Sequence, residues 1–262
     1  MFSTFSSLWF NFVCFSVHLI FGIWLFADAI GEYNVGANTT KMSIYYSVPV
    51  STGWPIITYQ VEQFETVNIV AMLASFELIT SFVHLFYVWG LNGSGDRVPM
   101  SIKYRYFEYA VTAPIMIVII SILFGLRDVF TLIALAFLCS STMLFGVLQS
   151  WDNTSYSTAA HWMGWVPFIV MWAILMKFFE IMSKTNDVPD FVVLVIILEF
   201  ILFGCFGLVQ LKYDVLPRLA GVSAGRGVSQ RNEDGLNNLL SLISKLLLAG
   251  IIYGNFVSIE LM

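Results

Sequence analysis

The chain has 262 residues, 58% of them hydrophobic and only 11% charged, with a formal net charge of −5. A soluble domain carries about a quarter charged residues, so the composition excludes an ordinary soluble protein and places the chain among membrane proteins. With 12 Lys and Arg against 17 Asp and Glu and no basic block, nucleic-acid binding is excluded as well.

Crossing the hydrocarbon core takes about 20 mostly apolar residues. Such runs fall near 8–30, 66–91, 102–125, 128–149, 160–183, 189–213 and 236–260. The expected architecture is an all-α membrane protein, a single seven-transmembrane helix bundle formed by residues 1–262. The first run lacks a basic leader and is too long for a signal-peptide core, so it reads as a span; it carries His18. The connection 31–65 contains "KMSIYYSVPVSTGWPIITYQVEQ", two β-rich runs around a Pro/Ser/Thr/Gly cluster, and predicts a short β-hairpin outside the bilayer. In the second span Glu77, Thr80, Ser81 and His84 recur at i, i+3, i+4 and i+7, one helical face. The third repeats that spacing with Arg105, Glu108, Tyr109 and Thr112. Pro114 and Pro167, inside spans three and five, are tolerated because neighbouring helices satisfy the freed carbonyls.

Cys14, Cys139 and Cys205 lie in apolar segments without metal or disulfide spacing and read as packing residues. Trp162 and Trp165, near a membrane edge, read as an interfacial belt, and the Lys177/Glu180 pair as a solvated helix end. Pro189 suits the first turn of the sixth helix, which carries Glu199 midway. Residues 214–235, Gly-rich and polar, read as a loop. The seventh span has Ser241 one turn before Lys245.

Lys and Arg in loops and helix ends set orientation. Arg97, Lys103, Arg105, Lys212, Arg218, Arg226 and Arg231 collect on the side that holds the N-terminus, against Lys41, Arg127, Lys177 and Lys184 on the other. The N-terminus is therefore expected in the cytoplasm, and the C-terminus and the hairpin outside. The sequon at Asn38 would face outward and those at Asn92 and Asn153 inward.

Lys245 poses the chemical question, because a cation at the centre of a membrane helix costs about 3 kcal/mol. At 1.5 Å per residue, Glu108 lies about 9 Å and Lys245 about 14 Å from the cytoplasmic ends of their spans, a gap that a lysine stem closes. Glu77 and Glu199 lie at comparable depth, but their helices run the other way. A Lys–Glu pair can simply tie two helices together, yet serine or threonine does so with less desolvation. A buried amine has a better use: it condenses with an aldehyde. The protonated product is a cation that needs a fixed counter-ion, and Glu108 is placed to be one. Lysine in helix seven and carboxylate in helix three together suggest a retinal protein.

The stretches "KYRYFEYAVTAPIM" (103–116) and "SLISKLLL" (241–248) resemble heliorhodopsins, a family of retinal-binding seven-helix photoreceptors with an inward N-terminus. The resemblance implies that Lys245 binds all-trans retinal as a protonated Schiff base, that Glu108 is its counter-ion and that Ser241 lies beside it. It implies that His18 and His84 belong to a polar cavity. It also implies a slow signalling photocycle, a homodimer with an unidentified signalling partner, and no enzymatic activity. The polar stripes put Thr80, Ser81 and Thr112 near the Schiff base and add Glu77 and Arg105 to the cavity. Among the aromatic and sulfur side chains that could shape a polyene slot, Tyr109, Met116, Trp172 and Phe206 are the expected walls. Helix six, "DFVVLVIILEFILFGCFGLVQL", lacks the tryptophan and internal proline of other microbial rhodopsins, and glutamate replaces their usual aspartate in helix three. An alternative reading is a light-activated proton transporter or channel using Glu199 as a relay. A chromophore-free transporter or hydrolase has no metal-spaced constellation to support it.

Overall fold

The structure, a computed structural model, describes residues 4–35, 40–51, 57–91, 100–151, 157–185, 188–221 and 226–260. Seven of its helices are long and apolar enough to cross a membrane. They are α1 (Thr4–Val35), α2 (Ile69–Leu91), α3 (Met100–Leu123), α4 (Val129–Trp151), α5 (Ser157–Thr185), α6 (Asp190–Leu219) and α7 (Arg226–Glu260). Polarity is arranged inside out. Ile20, Phe82, Trp89 and Phe137 are largely exposed, while Asn11, His18, Glu77, Arg105, Glu108 and Lys245 are buried. Lipid gives helices no hydrophobic reason to associate, so close packing and interhelical hydrogen bonds must hold them. Ser140 Oγ on α4 donates to Ala110 O on α3 at 2.8 Å, one such tie. At the α3–α4 turn Gly125 takes φ +81°, and Leu126 N donates to Ser121 O at 3.0 Å.

The expected hairpin is present. β1 (Lys41–Ser51) and β2 (Ile57–Asn68) pair antiparallel, with a bulge between Ile44 and Tyr45. Beside that bulge Tyr45 N donates to Arg127 O at 2.8 Å, which latches the hairpin onto the α3–α4 turn. Tyr46 Oη donates to Glu62 Oε2 at 2.8 Å, and this bond to a carboxylate holds the exposed phenol above the usual tyrosine value. The strand claims residues 66–68, which hydropathy alone assigned to the second span. Asn68 Oδ1 then accepts from Ala71 N at 2.9 Å, capping α2 as an N-cap asparagine does. Asn38, Asn92 and Asn153 lie outside the described residues.

The expected loop 214–235 is a correction. Helical structure continues through a π-helical segment, Leu211–Val215, to Leu219, and α7 begins at Arg226. Pro217 lacks the N–H that would bond Tyr213 O in a regular α-helix, which suits the irregular turn before it. On this segment Asp214 accepts from Gln149 Nε2 at 2.7 Å and from Arg218 Nε at 2.7 Å, joining α4 to α6. The polar start of α7 is helical because it faces inward: Asp234, Asn237 and Asn238 are buried. Hydropathy reads such a segment as solvent-exposed when its polar partners lie on other helices.

Candidate functional site

Lys245 is 3% exposed. Its Nζ donates to Thr80 Oγ1 on α2 at 2.5 Å and to Glu108 Oε1 on α3. Thr80 Oγ1 in turn donates to Glu108 Oε1 at 2.8 Å. Thr112 Oγ1 donates to the backbone oxygen of Glu108 at 3.1 Å, with a longer contact of 3.4 Å to Oε1. Donors from three helices thus converge on one carboxylate oxygen, while the buried Glu108 Oε2 has no hydrogen-bond partner among the described residues. The Tyr109 ring lies 5.4 Å from Nζ, within cation–π range.

An apolar slot of about 280 Å³, solvent-open space included, is lined by Lys245 together with Tyr109, Ala113, Met116, Met143, Phe203 and Phe206. Tyr109 and Phe206 meet edge to face, 5.0 Å between centroids. Trp172, an expected wall, does not line the slot: it stands behind Phe203 at 6.2 Å. Met143, Phe203 and Phe206 also border a second cleft, about 470 Å³, toward His161, Trp165 and Gln210. Trp165 belongs to this cleft rather than to a surface belt; its Nε1 donates to His161 Nε2 at 3.1 Å. His161 Nδ1 therefore carries the hydrogen and donates to Gln210 Oε1 at 3.0 Å. A Cβ on Gly207 would lie 2.6 Å from Trp165 Cζ2, so only glycine lets the indole lie this close to α6. Trp162 stays exposed.

A second polar cluster joins α1 to α2. His18 Nδ1 pairs with Glu77 Oε2, and His84 Nδ1 meets Asn11 Oδ1 at 2.8 Å. The two histidine rings stack, 5.9 Å apart and 7° from parallel. Ser81 departs from expectation. Its Oγ donates to Phe15 O at 3.1 Å, because adjacent residues on a helix point about 100° apart; Thr80 faces Lys245 and Ser81 faces α1. Glu77 stays within this cluster through its contact with His18.

Arg105 is buried. It donates to Asp234 Oδ1, to Asn238 Oδ1 at 2.5 Å and to Tyr109 Oη at 3.3 Å. Tyr109 Oη donates on to Asn237 O at 3.2 Å. Breaking a buried ion pair costs about 3–5 kcal/mol, so Arg105→Gln is expected to lower thermal stability in detergent by that much. Glu180, which binds Lys177 and Lys184 on an exposed stretch, provides the control: Glu180→Gln is expected to leave the melting temperature unchanged.

Glu199 accepts from Ser244 Oγ at 2.7 Å. Sequence reasoning missed Asn11, His161, Gln210, Asp234, Asn238 and Ser244. Most are neutral and raise no hydropathy alarm; Asp234 was hidden in the supposed loop, and His161 sat at the very edge of its expected span.

Two solved structures are similar in fold. Cyanorhodopsin from the cyanobacterium Tolypothrix sp. NIES-4075 matches with a TM-score of 0.65 at 14% identity, over 95% of this chain and 94% of that one. A light-driven proton pump from Leptosphaeria maculans matches with a TM-score of 0.55 at 11% identity, over 97% and 96%. Identities this low show the microbial rhodopsin fold alone. No curated protein sequence matches. Residues 8–257 match the family model for heliorhodopsin, nearly the whole length, and the chain therefore belongs to the heliorhodopsin family.

Proposed function

We propose that the protein is a light-sensing photoreceptor in which Lys245 holds retinal, the chromophore that membership of a rhodopsin family implies, with Glu108 as counter-ion. The observation that carries this reading is the buried contact between Lys245 Nζ and Glu108 Oε1, with Lys245 lining an apolar slot. The residues fit such a ligand: an amine and a serine hydroxyl in the lining, aromatic and sulfur side chains along the walls, and a Glu108 Oε2 without a hydrogen-bond partner among the described residues. Lys245 Nζ would hold all-trans retinal, which would supply visible absorption and isomerisation when bound.

The chain's own residues set the electrostatics. Glu108 Oε1 places negative charge against the lysine nitrogen, and the hydroxyls of Thr80 and Thr112 fix that oxygen in position. Phe203, Phe206 and Met116 keep water from the slot. Ser241, which lines the same slot as Lys245, offers its Oγ as an acceptor toward the nitrogen. His18 Nε2 and His84 Nε2, buried and without a hydrogen-bond partner among the described residues, belong to the polar cavity between α1 and α2. The Lys and Arg distribution supports a cytoplasmic N-terminus and an external hairpin.

Sensing is favoured over transport by the hairpin half of the bundle. Ile117, Ile120, Val195, Ile196, Leu248 and Ile252 are buried there, and Ser121, a buried hydroxyl on α3, donates to Ile117 O at 2.7 Å. A proton on Glu199 meets no polar relay among these side chains. With all-trans retinal supplied, a visible band and a light-induced absorbance cycle are expected, with no stationary photocurrent under voltage clamp. A colourless protein would reject the photoreceptor reading, and a sustained current would favour the transporter.

A further inference from the structure

One buried carboxyl, bonded to the serine that precedes the lysine, has no part in the chemistry above. Glu199, midway along α6, is 1% exposed, and its Oε2 accepts from Ser244 Oγ on α7 at 2.7 Å. Ser244 immediately precedes Lys245, and its side chain lines the same slot. None of the ion pairs among the described residues includes Glu199. An ionised carboxylate with one hydroxyl donor and no cation would carry a desolvation penalty of several kcal/mol, whereas a neutral acid needs only hydrogen bonds.

The serine's orientation is a second observation. Ser121 and Ser141 turn their hydroxyls back onto the carbonyl one turn earlier, at 2.7 Å in both cases, the usual habit of helix serines. Ser244 instead reaches across to α6. A hydroxyl has one hydrogen and two lone pairs; with the hydrogen given to Glu199, the oxygen lone pairs are left for the slot. The negative end of the dipole therefore faces a ligand that carries positive charge.

We propose that Glu199 is a neutral carboxylic acid that orients the Ser244 hydroxyl, and that this pair is a positioning element of the retinal site, its hydrogen bond altered when the ligand changes shape. The inference rests on the photoreceptor reading and deepens it. Glu108 answers the charge on the nitrogen from α3; Glu199 sets a dipole from α6. No bond is made or broken in the step, which changes only the strength of one hydrogen bond.

Light-minus-dark infrared difference spectra of the full-length protein with all-trans retinal test this. A carboxylic-acid C=O band pair is expected in wild type, lost in Glu199→Gln and moved to higher frequency in Ser244→Ala, where the carbonyl loses its donor. In visible spectra Glu199→Leu and Ser244→Ala are expected to shift the band equally. The double variant should shift it no further, the signature of one coupled unit. Glu199→Gln, nearly isosteric, keeps the infrared test available should Glu199→Leu fail to fold. A normal visible band with no acid band sensitive to Glu199→Gln would overturn this inference alone, as would additive visible shifts. A wild-type protein without a visible band would overturn the photoreceptor reading and this inference with it.

Discussion

Lys245→Ala protein supplied with all-trans retinal is expected to show no visible absorption band. Among the described residues Lys245 is the buried lysine, whereas Lys177 and Lys184 are about two-thirds exposed, so no second amine is held in the slot. Shortening the side chain leaves room for retinal to enter, but as the free aldehyde, whose absorption lies outside the visible range. A small alkylamine added with the retinal is expected to restore part of the colour, by supplying the missing nitrogen in the space vacated beside Glu108. The fold should survive, because Glu108 keeps its Thr80 and Thr112 bonds and can take a proton once the cation has gone. Gel filtration and an absorption spectrum check both statements. A visible band in Lys245→Ala without added amine would show that colour does not depend on this nitrogen.

Glu108→Gln is expected to move the band to the red. An anion beside the nitrogen stabilises positive charge there, and photoexcitation carries that charge away along the polyene. The anion thus lowers the ground state more than the excited state. Two unit charges 4 Å apart attract by about 4 kcal/mol at an effective dielectric of 20. Losing part of this narrows the gap by a few kcal/mol, a red shift on the order of tens of nanometres. Glu108→Asp keeps the charge but withdraws it by one methylene, and should shift the band less. A blue shift or no shift in Glu108→Gln would exclude Glu108 as the principal counter-ion.

Much of this arrangement was legible before any coordinates. A lysine and a glutamate in apolar runs stand out because hydrocarbon penalises them, and reachable depth together with helix direction was enough to pair Glu108 with Lys245. The hairpin was legible because β-branched residues and a turn cluster interrupt two helical stretches. What stayed hidden depended on partners in other segments. The first turns of α7 look like solvent-exposed chain until Arg105 is seen pointing at Asp234 and Asn238. Thr80 and Ser81 looked equivalent by spacing, and only the position of α1 separates their roles. Trp165 looked like an interfacial anchor because nothing in its own neighbourhood indicates that Gly207, on another helix, leaves room for its ring.

The unequal filling of the two halves has an electrical consequence. The half bearing Arg105, Asp234 and the stacked histidines is polar and polarisable, whereas the hairpin half is packed with aliphatic side chains. A transmembrane voltage, worth about 2.3 kcal/mol per charge per 100 mV across the full thickness, falls mostly across the less polarisable layer. The Lys245–Glu108 pair then sits close to the potential of the compartment bordering the polar half, and the protein's colour should be nearly indifferent to membrane polarisation.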